Sequence, residues 1–372
     1  MSDSTTVRVA VTLEQCWHQV PGGTARATLD TVEAVAGHDD VEQVGVSARH
    51  REPAPAAWRP RIAVAPLPLP RALLYESWHR LRRPLVERAT GAVDVVHSTA
   101  HVAASSRAPM VATVHDLHFL HEPSHFTKHG VGVFTRFLDI VREEAAVVVC
   151  PSEATRIDCE AAGIERDRLR ITPWATHAVA VAAGEAGRVR AAYALHRPFV
   201  LFAGTVEPRK NLGRLVDAFR ELGDIDAELV IVGPDGWNVD RGTARAADAE
   251  PRIRRLGFVP IDDLAALYAA ATVVAYPSLR EGFGLPVLEA MVQGAAVVTS
   301  ATTSTAEVAG DAAVLVDPLD VDAIAAAMQR LLDDPELVER IGVAARDRAD
   351  TFTWARTADA MVAAYRDAAG RS

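Results

Sequence analysis

The chain has 372 residues, 49% of them hydrophobic, and a formal net charge of −10 from 39 Lys+Arg against 49 Asp+Glu. That length suits two domains of ordinary size, the acidic balance excludes a general nucleic-acid binder, and no apolar run reaches the ~18 residues that cross a bilayer. Three scattered cysteines, Cys16, Cys150 and Cys159, do not make a disulfide framework, and the N-terminal residues lack the basic start of a secretory leader, so a reducing cytoplasm is the expected location.

Residues 7–13 read as a first buried strand, followed by the turn Gln19-Val-Pro-Gly-Gly-Thr24 and a helical pattern over 24–36. Gly22 and Gly23 permit a close backbone approach, and a strand, a Gly-Gly turn and a helix in succession suggest a doubly wound α/β domain. A nicotinamide-cofactor reading requires G-x-G-x-x-G at this turn, and the sequence does not have it. Residues 41–47 supply a second strand, and the Pro- and Ala-rich stretch 52–70 reads as an irregular connection.

Residues 71–88 (RALLYESWHRLRRPLVER) carry five arginines against two glutamates and are interrupted at Pro84. The segment reads either as a surface for anionic lipid or as a covering helix with solvated arginines. Strands follow over 93–97 and 110–114, placing His115 and Asp116 just past a strand end, where a doubly wound fold binds ligands. Seven histidines lie between His97 and His129, but His121, His125 and His129 are separated by Pro123 and followed by Gly130, and no zinc-type ligand set is completed. No metal is expected. His115 reads equally as a satisfied core histidine. A strand over 147–150, a helix opening at Pro151-Ser152 and a short strand from Arg170 complete the first half, with a linker expected over 173–197.

The α/β pattern restarts at Phe199 with a buried strand, a turn at Gly204-Thr205, and then the cations Arg209 and Lys210 at the opening of a helix. Two positive charges at a helix start oppose its dipole unless an anion is near, so they read as an anion clamp; solvated first-turn residues are the plainer alternative. Strands follow over 227–233 and from Arg255, then a helix over 261–270. Asp224-Ile-Asp226 has the form of a metal-binding pair but lies in a polar connection, and chance explains it better.

A strand over 271–276 then leads into Glu281-Gly-Phe-Gly-Leu-Pro-Val-Leu-Glu289. Gly282 and Gly284 admit a close ligand, Pro286 suits a first helical turn, and the free amides from Gly282 to Leu285 favour an anion. Carboxylates on either side, Glu281 and Glu289, can accept hydrogen bonds from sugar hydroxyls. Hydroxylated sugar, diphosphate and ribose together describe a nucleotide sugar; a solvated helix start with ordinary acids is the plainer alternative. Strands over 295–300 and 313–316, amphipathic helices from Val321 and a terminal helix over 353–369 end the chain.

The stretch from Glu281 to Glu289 resembles the E-x7-E motif of retaining glycosyltransferases of family 4, and Gly204-Thr-x-Glu-Pro-Arg-Lys-Asn211 resembles the diphosphate-binding motif of family members that use GDP-mannose. The resemblance implies an α/β fold of GT-B architecture, two doubly wound Rossmann-like domains facing across a cleft: an acceptor-side domain over 1–177, a donor domain over 178–352, and a terminal helix, 353–372, crossing back to the first. It implies that Arg209 and Lys210 neutralise the leaving diphosphate, Glu281 holds the hexose, Glu289 the ribose, and His115 contacts the sugar near the reacting carbon. Gly22, Gly23, Gly204, Thr205, Val259, Gly282, Phe283, Gly284 and Leu285 are the further donor-binding positions, with Val259 beside the base. The expected reaction is metal-independent transfer of a hexose, mannose from GDP-mannose first, to a glycan or lipid-linked acceptor, with peripheral membrane contact through 71–88. Alternatives are a UDP-glucose or UDP-GlcNAc transferase, a sugar-nucleotide epimerase of the same fold, and a non-catalytic binding protein.

Overall fold

The computed structural model describes residues 6–18, 22–234, 236 and 250–371. Residues 1–5, on which the leader reading falls, and the turn residues 19–21 lie outside them. The chain divides into two compact units, residues 1–174 with 353–372, and residues 175–352.

The first unit is built on seven parallel strands: β1 (Val7–Thr12), β2 (Val41–Ser47), β3 (Val64–Pro66), β4 (Val95–Ser98), β5 (Met110–Thr113), β6 (Ala145–Cys150) and β7 (Leu169–Ile171). They lie in the order β3-β2-β1-β4-β5-β6-β7. Side chains alternate across such a sheet, and both faces must be covered. Val7, Val9, Val11, Val95, Val147 and Val149 enter one apolar cluster, whereas Ala10, Val96, Val148 and Cys150 enter the other. The C-terminal helix Trp354–Ala368 covers the first of these faces with Ala358, Met361, Val362 and Tyr365. Its start is capped by the Thr353 side chain, and Tyr365 reaches His97 Nδ1 at 2.8 Å while His97 Nε2 meets Thr113 Oγ1 at 2.7 Å.

The second unit has six parallel strands: β8 (Phe199–Ala203), β9 (Glu228–Val232), β10 (Ile253–Gly257), β11 (Val273–Tyr276), β12 (Val297–Ser300) and β13 (Val314–Val316). Their order is β10-β9-β8-β11-β12-β13. All of β8, β11 and β12 is buried, which is why these strands read as unbroken apolar runs.

Three sequence expectations change, and the break expected in the histidine stretch is found. Residues 52–70 are not wholly irregular: Val64–Pro66 adds edge strand β3, pairing Gly45 with Val64 in a stretch too short and proline-rich to show a period. The expected linker over 173–197 contains the helix Glu185–Ala192, with Val189 its one buried residue, so amphipathicity gave no signal. Arg188 and Tyr193 tie this segment to Asp263 at 2.8 Å each, within the second unit. The 71–88 segment is a helix only over Arg71–Leu81, stopped by Arg82 at φ 50° ahead of the break expected at Pro84. The histidine stretch is likewise split into His118–His121, Pro123–His125 and a helix from Lys128, so His121, His125 and His129 do not share one helix.

Candidate active site

Strand order reverses between β8 and β11: β9 and β10 run outward on one side, β12 and β13 on the other. Loops leaving the carboxyl ends of two such neighbours diverge and leave a crevice, the usual ligand position in this architecture. The loop after β8 carries Gly204 to Asn211, and that after β11 carries Pro277 to Gly284. Residues more than seventy positions apart thus meet by sheet order alone.

They meet around Glu281, which is buried. Its Oε1 accepts from Lys210 Nζ, from Tyr276 Oη at 2.9 Å and from Ser278 Oγ at 2.9 Å, and its Oε2 accepts from Arg209 Nη1 at 2.6 Å. Lys210 Nζ also donates to Tyr276 Oη, and Arg209 pairs with the buried Glu207 at 2.8 Å. Two cations therefore stand against two carboxylates. The sequence reading gave Arg209 and Lys210 one task and Glu281 another; they form a single charge-balanced network.

The backbone fixes this arrangement from both loops. Arg209 and Lys210 do not open the α-helix but occupy a 3-10 turn over Pro208–Lys210, and Asn211 follows in the left-handed region at φ 61° before the helix Leu212–Glu221. Asn211 Nδ2 donates to the carbonyls of Pro277 (2.9 Å) and Pro318 (2.6 Å), Leu279 N donates to the Arg209 carbonyl at 2.8 Å, and Ser304 Oγ to the Glu281 carbonyl at 2.7 Å.

Burial alone pushes the Glu281 carboxyl up, but Arg209 and Lys210 override it and hold it at about 2, so it is ionised at neutral pH. Burial and the neighbouring Arg209 draw Lys210 below the usual lysine range. The Tyr276 phenol is pushed well up by burial and by Glu281, and remains a neutral proton donor.

Gly282, Phe283 and Gly284 are buried, and Gly284 at φ 109° precedes the helix Leu285–Val292. A Cβ there would lie 2.8 Å from Thr305 Cγ2, so the position excludes a side chain on two counts. Glu289, half-buried within that helix, lies close enough to Tyr268 to help burial hold that phenol up. Gly204 lies beside the Tyr276 ring, where a Cβ would come within 3.6 Å of Cε2, and Thr205 beside Gly236, whose own Cβ would meet Thr205 Cγ2 at 2.7 Å. Val259 is buried just past β10, next to the exposed Phe258.

Three expected site residues belong to the first unit. Gly22 and Gly23 open the helix Gly22–Val35, Gly22 at φ 66°, with open space around both. His115 follows β5, is buried, and its Nε2 lies 2.7 Å from the Thr99 carbonyl. Its ring packs 5.4 Å from Trp174 and 6.0 Å from His101. Burial, with His101, lowers its pKa to about 4, so it is neutral at physiological pH. Thr28 and Thr31 of the helix line the same small cavity as His115 and Trp174.

Tyr276, Ser278, Glu207 and Ser304 were not singled out from the sequence. A strand-end tyrosine two residues before Ser278 was the available signal, but only the β8–β11 adjacency gives it meaning. Asp226 pairs with Arg197 at 3.1 Å and is exposed, an ordinary surface contact. Among the described residues no group of three or more His, Cys, Asp or Glu is placed to hold a metal ion, and no helix is long and apolar enough to cross a membrane.

The family description "Glycosyl transferases group 1" matches residues 188–348, and "Glycosyltransferase Family 4" matches residues 21–178. The chain is 34% identical over 270 residues to O-antigen chain mannosyltransferase B of Escherichia coli, covering 69% of this chain and 70% of that protein. It is 35% identical over 202 residues to the MMP alpha-(1->4)-mannosyltransferase of Mycolicibacterium hassiacum, covering 50% of this chain and 45% of the relative. To the D-inositol 3-phosphate glycosyltransferase of Corynebacterium glutamicum it is 36% identical over 185 residues, or 47% of this chain and 44% of the relative. Those last two matches span less than half of the relatives' length.

Among solved structures, Anabaena HepE in complex with UDP and glucose superimposes with a TM-score of 0.73 at 17% identity, covering 95% of this chain and 98% of HepE. WaaG, a glycosyltransferase involved in lipopolysaccharide biosynthesis, gives 0.72 at 18% identity over 95% and 98%. These two likenesses concern the fold. With the mannosyltransferase relative matched over two thirds of both chains and the two family descriptions tiling the two units, the chain belongs to the group 1, family 4 glycosyltransferases of GT-B fold.

Proposed function

We propose that this glycosyltransferase moves mannose from GDP-mannose to a hydroxyl of a glycan or lipid-linked acceptor, with retention at the anomeric carbon and without a divalent metal. The observation that carries the reading is the Arg209–Lys210–Glu281 network at the β8/β11 crevice, leading directly into the Gly282–Gly284 loop. On this reading the bond from the anomeric carbon to the diphosphate breaks, the acceptor oxygen attacks the same face, and a donor phosphate oxygen takes the acceptor proton. Arg209, Lys210 and the amides from Gly282 to Leu285 stabilise the charge growing on the diphosphate, usually the largest catalytic contribution. Glu281 then faces the hexose hydroxyls, Glu289 the ribose, Val259 the base, Gly22 and Gly23 the donor, and neutral His115 the sugar near the reacting carbon.

Mannose rests on the relatives, two of which are named as mannosyltransferases. UDP-glucose is the second reading, favoured by the HepE complexes, whose likeness concerns the fold. Competition among GDP-mannose, UDP-glucose and UDP-GlcNAc in one turnover assay, with and without EDTA, tests both points. One donor should dominate, because a wrong hydroxyl leaves a buried polar group unpaired at a cost of about 1–3 kcal/mol. Preference for a UDP sugar would end the mannose reading, and activity abolished by EDTA and restored by Mn²⁺ would end the metal-free one. A cytoplasmic location with membrane contact through 71–88 completes the proposal.

A further inference from the structure

The first unit has a strand-order reversal of its own: β2 and β3 run outward from β1 on one side, and β5, β6 and β7 from β4 on the other. The loops leaving the carboxyl ends of β1 and β4 therefore diverge and leave a crevice of the kind in which such sheets bind ligands. The loop after β1 is a 3-10 turn over Glu14–Trp17, and its Gln15 is only 2% exposed. Gln15 Nε2 donates to Thr99 Oγ1 at 2.8 Å, while Thr99 Oγ1 gives its own proton to the Thr12 carbonyl. That proton count fixes the amide: its nitrogen faces Thr99, and Oε1, turned the other way, has no hydrogen-bond partner among the described residues. Thr99 also joins this amide to His115, whose Nε2 lies 2.7 Å from the Thr99 carbonyl.

Gln15 lines a narrow cavity of about 10 Å³ with Glu14, Ser47, Tyr75 and Ala100, and of these Tyr75 and Ala100 are partly exposed and form its mouth. That is room for one oxygen with its hydrogen, and not for a sugar ring or a phosphate. Glu14 and Ser47 are already engaged. Glu14 Oε2 accepts from the Ala48 amide at 2.8 Å and lies 3.0 Å from His50 Nε2, and Ser47 Oγ donates to the Ala48 carbonyl at 3.0 Å. Burial and Glu14 push the Tyr75 phenol up against the opposing effect of Arg71, so it keeps its proton. A buried acceptor left unpaired is costly, so the cavity calls for an occupant that donates. The carboxylate in its wall favours a neutral donor and repels an anion.

We infer that Gln15 determines acceptor specificity: its Oε1 accepts a hydrogen bond from one hydroxyl of a neutral sugar, which enters the cavity past Tyr75 and Ala100 while the ring stays outside. The inference rests on the proposed transfer to a glycan hydroxyl and deepens it by naming the group that reads the acceptor. A sugar lacking that hydroxyl leaves Oε1 unpaired, and one carrying a phosphate there meets both the narrow wall and Glu14.

Ligand-observed NMR titrations of the full-length protein, with GDP present, against the methyl α-glycosides of mannose, glucose, galactose and N-acetylglucosamine test it. At least one should bind, and Gln15→Leu should weaken it roughly tenfold or more. One mono-deoxy analogue of that glycoside should bind the wild type equally weakly and lose nothing further in Gln15→Leu, because the two changes remove the same hydrogen bond. Ala100→Leu, at the partly exposed mouth, should close the cavity to the glycoside, and it alone decides if Gln15→Leu does not keep wild-type circular dichroism. Binding of none of the glycosides, binding unchanged in a folded variant, or a Gln15→Leu loss shared by every deoxy analogue would overturn the inference. A thermal shift of the wild type with GDP reads the donor half separately. GDP binding without glycoside binding overturns the acceptor assignment alone, and glycoside binding that passes these tests without GDP binding upholds it while the donor reading falls.

Discussion

Glu281 holds four donors on two oxygens, and the energetics of the site turn on how unequal those donors are. Lys210 is buried, and desolvation and Arg209 draw its ammonium below the usual lysine range while the adjoining Glu281 opposes that shift. Removing it with Lys210→Ala leaves Glu281 its partners Arg209, Tyr276 and Ser278, so the fold survives but a cation facing the crevice is gone. Turnover should fall by two or more orders of magnitude, on the order of 3 kcal/mol. Tyr276→Phe removes one neutral hydroxyl from the same carboxylate and should cost only about 0.5–1.5 kcal/mol, roughly tenfold or less. Steady-state kinetics on the two variants check the ranking, and a Lys210→Ala enzyme as active as Tyr276→Phe would remove the lysine from its proposed role.

At the scale of elements, the Gly282–Gly284 loop and the helix after it depend on one backbone geometry. Gly284→Ala would force a side chain into φ 109° and toward Thr305 Cγ2 at 2.8 Å. The expected cost is about 1–3 kcal/mol, so donor affinity should fall and the thermal midpoint of the second unit should drop by roughly 2–10 °C. Adding Thr305→Ala should recover only the steric part; full recovery would show that the backbone conformation is not what matters. This loop was legible in the sequence because glycine, proline and a following apolar helix are local signals. So were β8, β11 and β12, whose complete burial writes itself as continuous apolar runs. The short β3 edge and the helix Glu185–Ala192 were not, since neither buries enough side chains to impose a period. Nor was the pairing of Arg209 and Lys210 with Glu281, which depends on the β8/β11 adjacency rather than on any pattern near either segment.

Across the whole molecule the two units differ most in how they respond to acid. Twelve of the thirteen histidines precede residue 178, and the strongly shifted ones lie in the first unit. Burial, with His115 nearby, lowers His97 to about 3, and burial, with His101 nearby, lowers His115 to about 4. His97 is neutral between Thr113 and Tyr365, a contact that joins β4 and β5 to the terminal helix. Between about pH 6.5 and 4 these rings are protonated in the unfolded chain and neutral in the folded one, so the unfolded state binds more protons and stability falls as pH falls. By about pH 5 each should have cost the first unit about 2 kcal/mol. The second unit follows a different course. Its central carboxylate, Glu281, is held at about 2, so its contribution is complete above the ordinary carboxylate range and is lost only as pH falls from about 4.5 toward 2. Acid should therefore open the first unit, terminal helix included, before the second. Pulse proteolysis at about pH 7 and about pH 5 with fragments identified by mass spectrometry reads each unit separately. Cleavage at pH 5 should appear first within residues 6–174 and 353–371, with 175–352 still protected. If the second unit is cut first, or both keep full protection until pH falls below about 4.5, the buried neutral histidines do not govern the acid stability of this fold.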